Sequence, residues 1–557
     1  MTVIYDIASD YVDKVAALDP ISATGMGVPG HDAEITDFSP EGTAAQSHLR
    51  RETLAKLAAA PITGDRDRVA KEAMEDVLWL REELRAAGDQ YRLSGHRNAS
   101  TVVRMAFDLM PRATEGDWQN IAKRLALVPT AVQSYRETLE EGLRKGSETA
   151  RRQVAQSIKQ SETYGGAGGG ASFFDGLVEA FDQANIASPA LRTEVVSAAN
   201  TAAAAYREFA GYLSEKFMDR AVERDGVGRD LYQLSSRVYN GIELDLEETY
   251  QWGWDELYRI EGEMRKTCEQ ILPGASIEET KQFLEADPNR AIDGVEEFRQ
   301  WMQDLQDKTI GELAGTHFDI PDPLRKIEAM IAPPGGSLAM YYTGPSEDFS
   351  RPGRTWYPTG GKTRFPLWGE VSIAYHEGVP GHHFERATAK YLAAELSRFQ
   401  RLMGGTSGYV EGWALYAERL MGELGYLENP DYYLGMLRAQ AMRAVRVIVD
   451  IGMHLELSIP KSEAYHPGET WNAELGQEFC LQRSQFPPDF MQSEVIRYLG
   501  TPGQAISYKV GERCWLEARE ASKQRQGDAF SLKEWHRAAL NLGPMGLAQM
   551  QRELARV

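Results

Sequence analysis

The chain has 557 residues, 42% hydrophobic and 26% charged, enough to bury a sizeable core and ordinary for a soluble globular protein. Its formal net charge of −21 argues against a basic skin for nucleic acid and against a polybasic membrane anchor. The three cysteines (268, 480 and 514) are few, far apart and odd in number, which excludes a disulfide framework.

The opening stretch, MTVIYDIASDYVDKVAALDP, carries acidic residues and no long apolar core, so no signal peptide is expected. No later apolar run reaches membrane-spanning length, and the predicted compartment is the cytoplasm. Helical periodicity then dominates. Segments 50–60, 71–87, 117–143, 188–218, 244–272 and 293–305 are amphipathic and rich in Ala, Leu, Glu, Arg and Gln. GGAGGG at 165–170 lacks a G-K-[ST] ending and reads as a hinge or surface loop. A long Gly-, Pro- and aromatic-rich loop covers 331–366, and its length favours a functional, ordered segment. It holds the scarce strand signals, SLAMYY at 337–342 with a partner near 355–357. GGKT at 360–363 lacks the upstream glycine of a Walker motif. The predicted fold is mainly α, a large multi-helix, two-lobed chain with a small β element near 337–357. The lobes are drawn as 1–330, helical, and 331–557, carrying the chemistry described next.

YHEGVPGHH, residues 375–383, concentrates three of the ten histidines beside a glutamate. A catalytic zinc takes three protein ligands, leaves a position open for water and needs a carboxylate to accept the water's proton. In H-E-x-x-H one regular helix supplies two ligands, because i and i+4 share a face. Here position 380 is proline. On an ideal helix His382 would point away from His376, and His383 would share its face about 10 Å along the axis. Pro380, flanked by Gly378 and Gly381, supplies a kink, and a bulged turn would return His382 towards His376. Glu377 is the expected general base.

A third ligand is sought on the helix predicted over 408–425. Glu411 and Glu418 stand seven apart there, at the edge of an apolar stripe. Glu411 is the ligand candidate, and Glu418 is expected to orient a ligand histidine. In the mostly apolar helix predicted over 436–457, Arg443, Asp450 and His454 share a narrow stripe. His454 is expected to bind a developing oxyanion, with Asp450 setting its tautomer. The segment 497–511 turns at Pro-Gly into a helix bearing Tyr508 and Lys509. Tyr508 is a second oxyanion candidate. Tyr341, Tyr342, Arg351, Tyr498 and Lys509 are expected to contact substrate.

HEGVPGHH, YVEGWALYAE, DIGMH and YLGTPGQAISYKVG, in that order, resemble the bacterial DUF885 family, as does AMYYTGPSEDFSRPGRTWYP before them. The resemblance implies a mainly helical fold similar to gluzincin metallopeptidases, including carboxypeptidase Taq-like and oligopeptidase enzymes. It implies His376, His382 and Glu411 as ligands of one Zn²⁺ and Glu377 as base. His382 is preferred because Gly381-His382 is similar to the G-H pair of the Taq-like motif, with His383 the alternative. The expected activity is zinc-dependent hydrolysis of peptide bonds in short peptides. Alternatives are a zinc amidase for non-peptide amides or modified amino acids, and a metal-binding protein without catalysis. The expected partner is a short peptide or other small amide, with neither nucleic acid nor membrane. The oligomeric state is open, a homodimer among the options.

Overall fold

The computed structural model describes residues 2–332 and 339–557. Among them helices dominate, and the strands are short and few. The chain divides into two compact units. The first comprises Met1–Ile62, Leu78–Val227 and Ile496–Pro502; the second comprises Thr63–Val77, Gly228–Val495 and Gly503–Val557. The boundary drawn from sequence at 330/331 thus falls inside the second unit.

The first unit is a helical bundle that includes α1 (Glu115–Arg144), α2 (Arg151–Gly165) and α3 (Pro189–Tyr212). Thr114 and Asp117 form a reciprocal capping box that starts α1. Its core is aromatic, with Trp118 set edge-on to Phe181 at 5.1 Å. Gly166, at φ +68°, ends α2 in the left-handed conformation, so the glycine run at 165–170 begins as a helix cap.

The second unit carries α4 (Arg229–Asn240), α5 (Leu246–Ile271), α6 (Val295–Leu313), α7 (Val371–Glu377), α8 (His382–Tyr391), α9 (Ser407–Glu423), α10 (Pro430–Leu455) and α11 (Ser507–Gln526). Two close approaches set its frame. Gly253 of α5 lies against Val447 and Ile448 of α10, where an added methyl would come within 2.9 Å of Val447. Gly412 of α9 lies on the backbone of Gly511 in α11. Side chains at either place would push the helices apart, and α9 and α11 carry Glu411 and Tyr508 of the cavity wall.

A small β element supports α7. Strands β1 (Ala291–Asp293) and β5 (Arg364–Pro366) pair antiparallel. β2 (Ile327–Ile331), β3 (Tyr341–Thr343) and β4 (Gly353–Tyr357) form a sheet of order β2-β4-β3. The β3–β4 pair is the pairing expected from sequence and runs antiparallel, although Ser337 and Leu338 of the expected strand lie outside the described residues. The parallel β2–β4 pair was not expected. Phe298 of α6 stacks on Phe365 at 4.2 Å and packs with Tyr357 and with Ala374 of α7. That cluster fixes the helix on which His376 sits.

Candidate metal centre

α7 ends at Glu377 and α8 begins at His382. The chain therefore breaks into two helices here, where a bulge within one helix was expected. Proline removes one backbone donor, and the remaining polar groups of the break find partners. Gly378 N–H donates to Ala374 O, Gly381 N–H to Tyr375 O, and His383 N–H to Gly378 O. The Pro380 carbonyl accepts from buried Trp413 Nε1 of α9 at 2.8 Å. Gly381 packs so tightly on the carbonyls of His376 and Tyr375 that a methyl there would overlap both oxygens. The tight turn brings the His376 and His382 rings to 4.7 Å between centroids, nearly perpendicular at 83°.

Glu411 lies beside both rings. Its Oε2 stands 3.4 Å from Nε2 of His376 and 3.4 Å from Nε2 of His382. The same oxygen is buried and lacks a hydrogen-bond partner. A charge-assisted N–H···O bond would be about 2.7–2.9 Å long. Two ligand atoms on a tetrahedral zinc with bonds of about 2.1 Å stand about 3.4 Å apart. Both distances from Glu411 Oε2 thus match an edge of a coordination tetrahedron. Glu377 is also close: a carboxylate oxygen of Glu377 and one nitrogen from each of His376 and His382 all lie within 4.8 Å of one another.

The surroundings orient His376. Its Nδ1–H donates to Glu418 Oε1 at 2.8 Å, which turns Nε2 towards Glu411. Glu418 is fully buried, accepts from Ser372 Oγ at 2.9 Å and has Arg443 Nη2 at 3.6 Å. Burial alone would lower the His376 pKa, but the flanking carboxylates of Glu411 and Glu418 outweigh it and lift the ring to about 9, so a cation would bind in exchange for the Nε2 proton. Burial likewise opposes ionisation of Glu411, but the two imidazoles hold it well below the usual carboxylate range. The donor set is anionic and braced by a second carboxylate, which suits a divalent cation.

Both ring nitrogens of His383 are engaged by protein partners. It is fully buried; its Nε2–H donates to Leu324 O at 2.8 Å and its Nδ1 accepts from the Tyr342 hydroxyl at 2.9 Å. Burial pushes its pKa down to about 4, so it stays neutral with both nitrogens engaged.

His376, Glu377, His382 and Glu411 open onto a cavity of about 1070 Å³, with Tyr341, Tyr342, Arg443 and Tyr508 also on its wall. The Tyr508 ring lies parallel to His376, 6.3 Å away. Other expected site residues lie elsewhere. His454 and Asp450 are fully buried and do not line the cavity. Asp450 Oδ2 accepts from the Tyr232 hydroxyl (2.8 Å) and Gly503 N–H (3.0 Å), and His454 Nε2 is 3.7 Å from Asp450 Oδ1. This knot ties α10 to α4 and to the start of the last segment, so His454 is not placed to meet an oxyanion. Lys509 is buried among Glu512, Glu256 (2.6 Å) and Gln440 (2.8 Å), a charge network within the packed helices. Tyr498 falls in the first unit. Arg351 is exposed in a turn, its N–H donating to Ser346 Oγ, and is off the cavity wall. Sequence reasoning missed Glu370, Arg438 and Arg446, which line the cavity. The available signal was three arginines in an otherwise apolar helix.

Among the described residues no helix is long and apolar enough to cross a membrane. No curated protein matches the chain in sequence. The structure from Colwellia psychrerythraea described as a "putative lipoprotein" is similar at TM-score 0.83 and 21% identity, covering 100% of this chain and 99% of that one. A protein from Shewanella oneidensis, described likewise and as of unknown function, gives TM-score 0.71 and 16% identity over 99% of each chain. These establish a shared fold. A carboxypeptidase of Pyrococcus furiosus, at TM-score 0.38 and 14% identity over 100% of this chain and 98% of that one, is too dissimilar to carry an argument. The sequence model of one family spans residues 20–554, and the chain belongs to that family, DUF885, described as a bacterial protein of unknown function.

Proposed function

We propose that the chain is a zinc-dependent hydrolase of peptide bonds in short peptides. The observation that carries this reading is the buried Glu411 oxygen, equidistant from two imidazole nitrogens and without a hydrogen bond. His376, His382 and Glu411 would hold the ion. A zinc ion there supplies Lewis acidity and lowers the pKa of a bound water. Glu377, on the cavity wall next to His376, takes the water's proton and returns it to the departing amine. Glu418 holds His376 in one tautomer. Tyr508, parallel to His376 and on the same wall, is the hydroxyl group available to the carbonyl oxygen. The cavity volume matches a small ligand, hence short peptides. The three cysteines are buried and unpaired, which supports a reducing, cytoplasmic setting.

The purified protein is expected to cleave members of a mixed peptide library, to lose that activity on chelation, and to regain it with zinc. Cleavage that survives chelation, or none by zinc-loaded protein, contradicts the reading.

A further inference from the structure

One wall of the cavity carries charge that hydrolysis itself does not use. Arg438, Met442 and Arg446 of α10 follow at four-residue spacing and so share one line of the helix, with Arg443 beside them; all four line the cavity. In a chain of net charge −21, three guanidinium groups on one wall are a local reversal of sign. Two of them are committed to protein partners. Arg446 pairs with buried Glu494 at 2.7 Å and lies over the Tyr508 ring at 4.5 Å. Arg443 stands 3.6 Å from Glu418, the carboxylate that orients His376.

Arg438 differs. Its guanidinium carbon lies 4.1 Å from the centre of the Trp368 ring and 4.5 Å from that of Phe486. Packing against two aromatic rings fixes the plane of the group and leaves its in-plane donors as the reactive edge. Its Nε is buried without an acceptor. Glu370 is the carboxylate that acts on it most strongly, but it also has a buried oxygen without a donor. Burial lifts the Glu370 carboxyl to about 7, so it is only partly ionised at neutral pH. A buried N–H without an acceptor is costly, and an incoming oxygen pair on the guanidinium edge would relieve that cost.

We propose that Arg438 anchors a substrate by its free C-terminal carboxylate, through in-plane hydrogen bonds from a guanidinium already oriented by Trp368 and Phe486. The position sets a length. Arg438 packs on Trp368, and Glu370 immediately precedes α7, six residues before His376. Six helical residues rise about 9 Å, which places this end of the wall roughly two to three extended residues along α7 from His376. The substrates are then short peptides whose carboxyl-terminal two or three residues leave as one piece. The cleavage position rests on the hydrolase reading; the carboxylate site does not.

The test is calorimetric binding to zinc-loaded Glu377→Gln protein, which prevents turnover. The ligands are one tetrapeptide as the free acid and as the amide, and a matched amide bearing a glutamate side chain. The free acid is expected to bind at least about tenfold tighter than either amide. Adding Arg438→Gln should reduce that ratio below about twofold, and Arg438→Lys, which keeps the charge but not the fork, should leave an intermediate ratio. Arg438→Lys carries the comparison if the glutamine variant does not fold, as judged by thermal unfolding. Equal binding of acid and amide, binding of neither, or an undiminished ratio in both variants overturns the anchor. Equal binding of the free acid and the glutamate amide overturns its assignment to the chain end. If the anchor passes while zinc-loaded wild-type protein cleaves neither peptide, the hydrolase reading fails alone.

Discussion

Glu377→Gln is expected to keep its zinc and to lose hydrolysis by about 10²–10⁴-fold, the usual contribution of a positioned general base. The substitution is nearly isosteric and removes only the ability to accept a proton. It also separates two roles that the geometry allows for neighbouring carboxylates. Glu377 lies within 4.8 Å of the histidine nitrogens, and Glu411 Oε2 stands at 3.4 Å from both. If Glu411 is the ligand, the amide at 377 leaves metal content unchanged. If Glu377 binds the ion, zinc is lost with activity. Metal content and turnover measured on the same preparation decide between them, and loss of both contradicts the account.

Gly381→Ala is expected to abolish zinc binding without touching any ligand. Its methyl would overlap the carbonyl oxygens of His376 and Tyr375, and these belong to helix backbone that cannot yield cheaply. Relief requires opening the turn between α7 and α8, which withdraws His382 from His376. Overpacking of this kind costs roughly 1–3 kcal/mol of stability. The larger effect is on the metal, because displacement of one ligand by about an ångström breaks the geometry that zinc demands. Zinc affinity should fall by at least about 10²-fold in a competition titration, while circular dichroism stays near wild type. Unchanged affinity would mean that the tight turn does not set the ligand spacing.

The histidine–glutamate cluster was legible in the sequence because its chemistry is concentrated. HEGVPGHH puts two candidate ligands, the candidate base and the turn residues within eight positions, and Glu411 and Glu418 repeat at a helical spacing. The choice between His382 and His383 was not legible from spacing. It depends on Leu324 and Tyr342, which occupy both nitrogens of His383 from distant points of the chain. Nor could spacing place His454 and Asp450. A stripe on a buried helix shows that polar groups must be satisfied, and Tyr232 and Gly503 satisfy Asp450 here. Lys509 follows the same logic within a cluster of buried carboxylates. For the fold, helix positions followed from periodicity, and 244–272 agrees closely with Leu246–Ile271. The parallel partner of β4 was hidden because β2 is short and pairs across a long separation. Arg438 went unnoticed because its meaning comes from Trp368 and Phe486, residues of two other segments.

The central claim is that His376, His382 and Glu411 hold one zinc ion. Metal analysis of purified, zinc-equilibrated protein tests it most directly. The account predicts one zinc per chain in the wild type, near zero in His382→Ala and Glu411→Ala, and a retained ion in folded His383→Ala. A metal-free wild type, or loss of zinc from folded His383→Ala with retention in His382→Ala, would contradict it.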